Sequence, residues 1–205
     1  MSFPDFYKDA PVVRTRDPLA RLLGASSDGE LDYCYADAVR LAGHSCPTVA
    51  GAFLTGRAAL AALYPGVPAE RGGVTVRMPA PCDEGVTGVI GQVLTLLTGA
   101  AAENGFHGLG RRHRRSGLLS YASQREGEAI VFARTDTGAR IAVSLDLRSV
   151  PASPQQGALL GAALQNPDDQ AAAAAFADAW QARVRCLLLE HADDPQVVRV
   201  EMLTA

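Results

Sequence analysis

The sequence lacks the features that mark several protein classes. Its 205 residues carry a formal net charge of only -3, which gives no general attraction to nucleic acid or to anionic lipid. The longest apolar runs, such as residues 171–177, are far shorter than the roughly 20 residues that a membrane span needs. Residues 1–18 have no basic start followed by an apolar stretch, so they do not resemble a secretory signal. We therefore expect a cytoplasmic protein that binds neither nucleic acid nor membrane.

Cysteine is also scarce, with four in the chain. Because cytosolic reductants disfavour structural disulfides, we expect all four as thiols. Cys34 and Cys186 lie on apolar stripes of predicted helices and are expected to be small buried hydrophobes. Cys46 and Cys82 lie in predicted turns, and a cysteine near histidine in such a protein indicates metal or catalytic chemistry.

The composition fits one globular domain with a short extension. Hydrophobic residues make up 48% and charged residues 20% of the chain, which is ordinary for a soluble globular protein. A chain of this length can bury a full core in a single domain. Residues 1–29 are rich in proline and polar residues, and we expect a loosely ordered N-terminal arm with one short helix near residues 18–23. Residues 30–205 are expected to form the domain.

Hydrophobic periodicity and turn residues predict the elements of that domain. Helices are predicted over residues 31–43, 47–63, 85–99, 155–164 and 168–190. Strands are predicted over residues 73–79, 118–122, 128–134, 140–147 and 197–204, and the middle three are expected to form an antiparallel meander. This order indicates a single α+β domain, in which helices pack on a mixed, mostly antiparallel sheet.

The stretch LAGHSCPTVAG (residues 41–51) places His44 two residues before Cys46 at the junction of two predicted helices. Imidazole and thiolate are common ligands of zinc and other borderline metals. The unpaired N–H groups at a helix start also favour a thiolate over a thiol. The stretch therefore predicts a metal site or a reactive cysteine.

Further ligands are needed, because catalytic zinc uses three protein ligands and structural zinc uses four. Cys82 follows a predicted strand and precedes a predicted helix, which makes it the best third ligand. His107, in a glycine-rich loop, is a possible fourth. The neighbouring Asp83 and Glu84 could bind a metal-bound water or orient a histidine. We expect zinc or another divalent transition metal with three protein ligands and one position open to water or a small anion.

A basic run, RRHRR (residues 111–115), follows the glycine-rich loop. Such a run could bind phosphates or could be a solvated loop. Because it comes soon after His107, Arg111 and Arg112 could instead attract a small anionic ligand to the metal. The glycines of this region do not open a helix after a strand, so they do not form a dinucleotide fingerprint.

The motif around His44 resembles that of the formylmethanofuran dehydrogenase E-like family. That family carries a Gly-His-x-Cys-Pro motif with glycines and an arginine downstream, and the matching residues here are Gly43, His44, Cys46, Pro47, Gly51 and Arg57. The stretch QVLTLLTG (residues 92–99) is similar to a second family motif. Three positions depart from that second motif: Val89, Gln92 and Ala100. The resemblance implies an α+β fold for residues 30–205, a homodimer, and a metal at His44 and Cys46.

Three functions remain open at this site. The chain could bind a metal together with a small anion at an open coordination position. It could be an enzyme in which the metal activates water and Glu84 or Asp83 moves the proton. It could also use Cys46 as a metal-free nucleophile or redox group with His44 as its base, although residues two apart in a turn seldom align for this.

Overall fold

The computed structural model describes residues 3–110 and 112–204. In these residues the chain forms one short 3-10 helix (Asp5–Lys8), six α-helices and eight β-strands. The helices are α1 (Pro18–Leu22), α2 (Tyr35–Ala42), α3 (Pro47–Leu63), α4 (Thr87–Thr98), α5 (Gln156–Gln165) and α6 (Gln170–Leu189). The strands are β1 (Val13–Arg16), β2 (Glu30–Tyr33), β3 (Ala69–Glu70), β4 (Val74–Met78), β5 (Leu119–Tyr121), β6 (Ile130–Arg134), β7 (Arg140–Leu145) and β8 (Val198–Leu203).

The strands form two mixed sheets. The smaller sheet has the order β2-β1-β3, in which β2 is antiparallel and β3 parallel to the central strand. The larger sheet has the order β5-β4-β6-β7-β8, and only the pairing of β5 with β4 is parallel. Helices pack against these sheets, and the expected α+β fold with a mostly antiparallel pairing of strands is confirmed.

Helix α3 is the centre of the core and packs against α4, α6 and β7. Its sequence is apolar or small on nearly every side, which is typical of a helix that is buried all round. Val49, Phe53 and Leu54 are each almost completely buried. Pro47 begins the helix at a position where the missing N–H of proline leaves no bond unmade. Among the described residues, no helix is both long and apolar enough to cross a membrane.

Close contact between α3 and α4 depends on Gly56. A Cβ atom built at this position would lie 2.6 Å from Cδ1 of Leu97 and 3.2 Å from Cδ2 of Leu94. Both leucines are fully buried, so they have little room to move. The missing side chain at residue 56 therefore sets how closely the two helices approach, and α4 in turn forms one wall of the cleft described below.

Most predicted elements of residues 47–203 are confirmed within a few residues of their predicted bounds, and α3 coincides with its prediction. Three expectations are wrong. Residues 3–29 are not a loose arm, because β1 forms the middle of the smaller sheet and Tyr7 and Val13 are buried in the core. Residues 30–33 form strand β2 rather than the start of a helix. Strand β5 does not form a meander with β6, because β4 lies between them.

We predict that Gly56→Ala lowers the free energy of unfolding. Overpacking a core costs about 1–3 kcal/mol, which exceeds the gain of up to about 1 kcal/mol in helix propensity. The matched control is Gly161→Ala in α5, where a Cβ meets no atom within 4 Å and the propensity gain should raise stability. Urea unfolding of both variants measures the difference, and equal stabilisation of the two proteins would contradict the close packing of α3 on α4.

Candidate functional site

A cleft of about 840 Å³ opens between α4, the segment that follows it, α1 and β5. This volume is within the range of small-molecule sites, which combine apolar walls with a few convergent polar groups. The polar groups of the lining include Asp17, Arg71, Cys82, Glu103, Arg115 and Tyr121. These residues come from six separate parts of the sequence, so the cleft is a product of the tertiary fold.

Asp17 is the residue that ties these parts together. It lies at the N-cap of α1, where its Oδ1 accepts hydrogen bonds from the backbone N–H groups of Leu19 (2.9 Å) and Ala20 (3.2 Å). The same oxygen accepts a bond from Nη2 of Arg115 at 2.7 Å, and Oδ2 accepts one from Nη1 of Arg71 at 2.7 Å. Only 4% of Asp17 is exposed, so one buried carboxylate serves a helix start and two arginines.

The ionisation of Asp17 is maintained by its partners. Burial alone would favour the neutral acid, but the N–H of Ala20 and the charges of Arg115 and Arg71 outweigh it, so the pKa of Asp17 lies below its ordinary value. Burial lowers the pKa of Arg115, the nearby Arg71 lowers it further, and Asp17 opposes both effects. An arginine nevertheless stays protonated in proteins. All three side chains are therefore charged at neutral pH.

Two guanidinium groups thus share one carboxylate at the cleft. The next carboxylate near Arg115 belongs to Glu70, which already pairs with Nη2 of Arg16 at 3.1 Å. Nη2 of Arg71 donates to the backbone oxygen of Leu96 at 2.9 Å, while its buried Nε has no partner among the described residues. The cluster therefore carries excess positive charge and an unused donor.

Gly72 makes room for Arg115. A Cβ atom at position 72 would lie 1.8 Å from Nη1 of Arg115, and the residue has a φ of +79°. The N–H of Gly72 also donates to the backbone oxygen of Thr98 at the end of α4, at 2.7 Å. Only glycine satisfies both the backbone conformation and the close approach without strain. The buried position of the guanidinium is therefore fixed by the backbone beside it.

A second polar group of the lining contains Tyr121, Cys82 and Glu103. The Tyr121 hydroxyl packs over Gly91 of α4, where a Cβ would lie 2.3 Å from it. Burial raises the pKa of Tyr121, and the neighbouring Cys82 and Glu103 raise it further. Tyr121 is therefore a neutral hydroxyl that can donate or accept a hydrogen bond in the cleft.

The expected pair His44 and Cys46 does not lie in a common pocket of ligands. His44 is exposed, and its Nδ1 is 3.0 Å from the backbone oxygen of Ala42. Cys46 is buried at the N-cap of α3, where its Sγ accepts from the N–H of Val49 at 3.4 Å. Each side chain thus has its own local partner. Cys46 contributes to the start of a core helix.

The other expected ligands are also separate. Cys82 is exposed in the turn before α4 and lines the cleft. His107 is exposed with its Nδ1 3.2 Å from Oγ of Ser116. Glu84 forms an ion pair with Nε of Arg125 at 2.6 Å, so its carboxylate is already engaged.

The basic run divides into an exposed part and a buried part. Arg111 lies outside the described residues. Arg112 is exposed, exchanges backbone hydrogen bonds with Leu109, and lines a smaller pocket on which Arg71 and Arg115 also border. Arg115, the last residue of the run, is buried against Asp17. The expectation that this run attracts an anion is therefore carried by its last member.

The described side chains do not fit a metal centre of three protein ligands within one chain. No group of three or more His, Cys, Asp and Glu side chains in residues 3–110 and 112–204 is placed to hold a metal ion. His44 still has its Nε2 free for a ligand, because Nδ1 faces the oxygen of Ala42. Metal binding at His44 and Cys46 stays a prediction.

Comparison with known protein families finds no match, and comparison with curated proteins also finds none. These results neither support nor oppose the resemblance to the formylmethanofuran dehydrogenase E-like family. The cleft must therefore be interpreted from its own geometry.

We predict that Asp17→Asn lowers the free energy of unfolding by about 3–5 kcal/mol, because it leaves two guanidinium groups without their buried counter-charge. Asparagine keeps the N-cap acceptor, so the loss reports the charge. The control is Asp32→Asn, which breaks the exposed pair with Arg14 and should cost at most about 1 kcal/mol. Urea unfolding at pH 7 measures both variants.

The pH dependence follows from the lowered pKa of Asp17. Its stabilisation is present above the unfolded-state value of about 3.9 and is lost as the pH falls through the lower folded-state pKa. Asp17→Asn should therefore flatten the acid side of the stability profile. An acid profile identical to that of the wild type would contradict the assigned role.

Proposed function

We propose that the protein binds a small anionic molecule, bearing a carboxylate or phosphate group, in the cleft beside Asp17. The observation that carries this proposal is the sharing of one carboxylate by Arg71 and Arg115. An incoming anion would supply the second negative charge. Guanidinium groups form strong, charge-assisted hydrogen bonds with carboxylate and phosphate oxygens.

The chemistry of the lining supports a small molecule rather than a bare ion. The volume of the cleft is far larger than one phosphate requires, and apolar residues such as Leu41, Leu96 and Phe106 form part of its walls. Tyr121 and Cys82 add a hydroxyl and a thiol that could orient the rest of the ligand. The anionic group anchors the ligand at the arginines, and the apolar part packs along the walls.

Isothermal titration calorimetry at constant ionic strength tests this proposal with inorganic phosphate and citrate as probes. The wild type should bind at least one of them saturably. Arg71→Gln should weaken binding about tenfold or more, since a hydrogen bond to a charged group contributes about 1.5–3 kcal/mol. Arg77→Gln is the matched control, because Arg77 is exposed and pairs with Glu126 outside the cleft.

Two results would contradict the proposal. One is the absence of saturable binding of either probe to the wild type at millimolar concentration. The other is an equal loss of affinity in Arg71→Gln and Arg77→Gln, which would indicate screening of general surface charge. Thermal unfolding of each variant establishes that it remains folded.

Zinc binding is tested independently of the cleft. Plasma emission analysis of protein purified without added metal should find about one equivalent of zinc or a similar metal per chain, if structural or catalytic zinc is present. His44→Ala and Cys46→Ala should each remove it, whereas Cys34→Ala and Cys186→Ala should retain it. Full occupancy in Cys46→Ala would show that this thiol only caps α3. The homodimer implied by the family resemblance likewise stays a prediction.

A further inference from the structure

Strand β8 is an exposed edge of the larger sheet. It pairs along its full length with β7 and is the last strand in the sheet order. Met202 is 69% exposed and Val200 is 37% exposed. An exposed edge strand with apolar side chains is a template for pairing with another chain.

The register of β8 shows which backbone groups face the open edge. The N–H of Asp146 donates to the backbone oxygen of Val197 at 2.8 Å. In an antiparallel pair, hydrogen bonding alternates along the strand, so residues 199, 201 and 203 also bond to β7. The backbone groups of Val198, Val200 and Met202 therefore point outward. One of them, the N–H of Val198, is already bonded to the oxygen of Asp194 at 2.9 Å.

The sequence of this edge is complementary to itself. If a second copy of β8 runs antiparallel with Val200 opposite Val200, then Arg199 lies opposite Glu201 in both directions, and Val198 lies opposite Met202. The Arg199 and Glu201 positions form the closely spaced, non-hydrogen-bonded pairs, in which side chains interact most directly. Centring the pairing on residue 199 or 201 would place like charges opposite each other. Charge therefore selects one register.

We propose that two copies of this chain associate through β8 in that register, extending the larger sheet across a two-fold axis. The pairing forms about four hydrogen bonds between chains, from the N–H groups of Val200 and Met202 to the oxygens of Val200 and Val198. It covers Val200 and Met202, which share a face of the sheet with the buried Ile141 and Val143. Arg199 and Glu201 exchange their pair within the strand, 2.7 Å in length, for pairs between chains.

Sedimentation velocity over a range of protein concentrations tests this interface. The wild type should reach twice the 21.5 kDa mass of one chain. Arg199→Glu places like charges opposite each other and should raise the dimer dissociation constant about tenfold. The double variant Arg199→Glu/Glu201→Arg restores complementarity and should restore the dimer. Val200→Pro removes the central N–H without breaking a bond to β7 and should give a folded monomer, as judged by circular dichroism.

Three results would overturn the proposal. A wild type that stays monomeric at all concentrations would do so. A dimer that is unaffected by both Arg199→Glu and Val200→Pro would place the contact on another surface. A double variant that remains as weakly associated as Arg199→Glu would show that charge does not set the register.

Discussion

The four hydrogen bonds accepted by the Asp17 carboxylate are the interaction on which the cleft depends. They join the start of α1 to Arg71, which follows β3, and to Arg115, which precedes β5. In a buried setting, such a network holds only if each member is satisfied. The smaller sheet, the end of α4 and the glycine-rich segment after it are positioned around this carboxylate. Removing its charge would therefore affect structure and site together.

The same network gives the cleft its chemical character. A core that contained one arginine for one carboxylate would be neutral and complete. Here two guanidinium groups converge on Asp17, and the Nε of Arg71 is left without a partner among the described residues. A buried donor without a partner is costly, and an oxygen of a ligand or of water would satisfy it. The excess charge and the unused donor both favour an anion.

The sequence predicts much of the fold but little of the site. It predicts helix α3 at its observed bounds because Pro47 and a long apolar run mark it clearly. The helix that it predicts from residue 31 is wrong at its start, because a strand of four residues is too short to distinguish period 2 from period 3.6. The order of β5, β4 and β6 depends on long-range pairing that adjacency in sequence does not reveal. Asp17 before Pro18 is a recognisable cap, but its partners lie 54 and 98 residues away. The basic run indicates an anion, yet only folding shows that Arg115 is the buried member.

The most direct measurement is a two-dimensional 1H–15N NMR titration of the arginine Nε–Hε signals with inorganic phosphate at constant ionic strength. If the cleft holds an anion between its arginines, the signals of Arg71 and Arg115 should shift together and saturate at one midpoint. The exposed Arg14 and Arg77 should shift weakly and without saturation. Uniform, unsaturated shifts of all four arginines would contradict the claim that Asp17 and its two partners form an anion site.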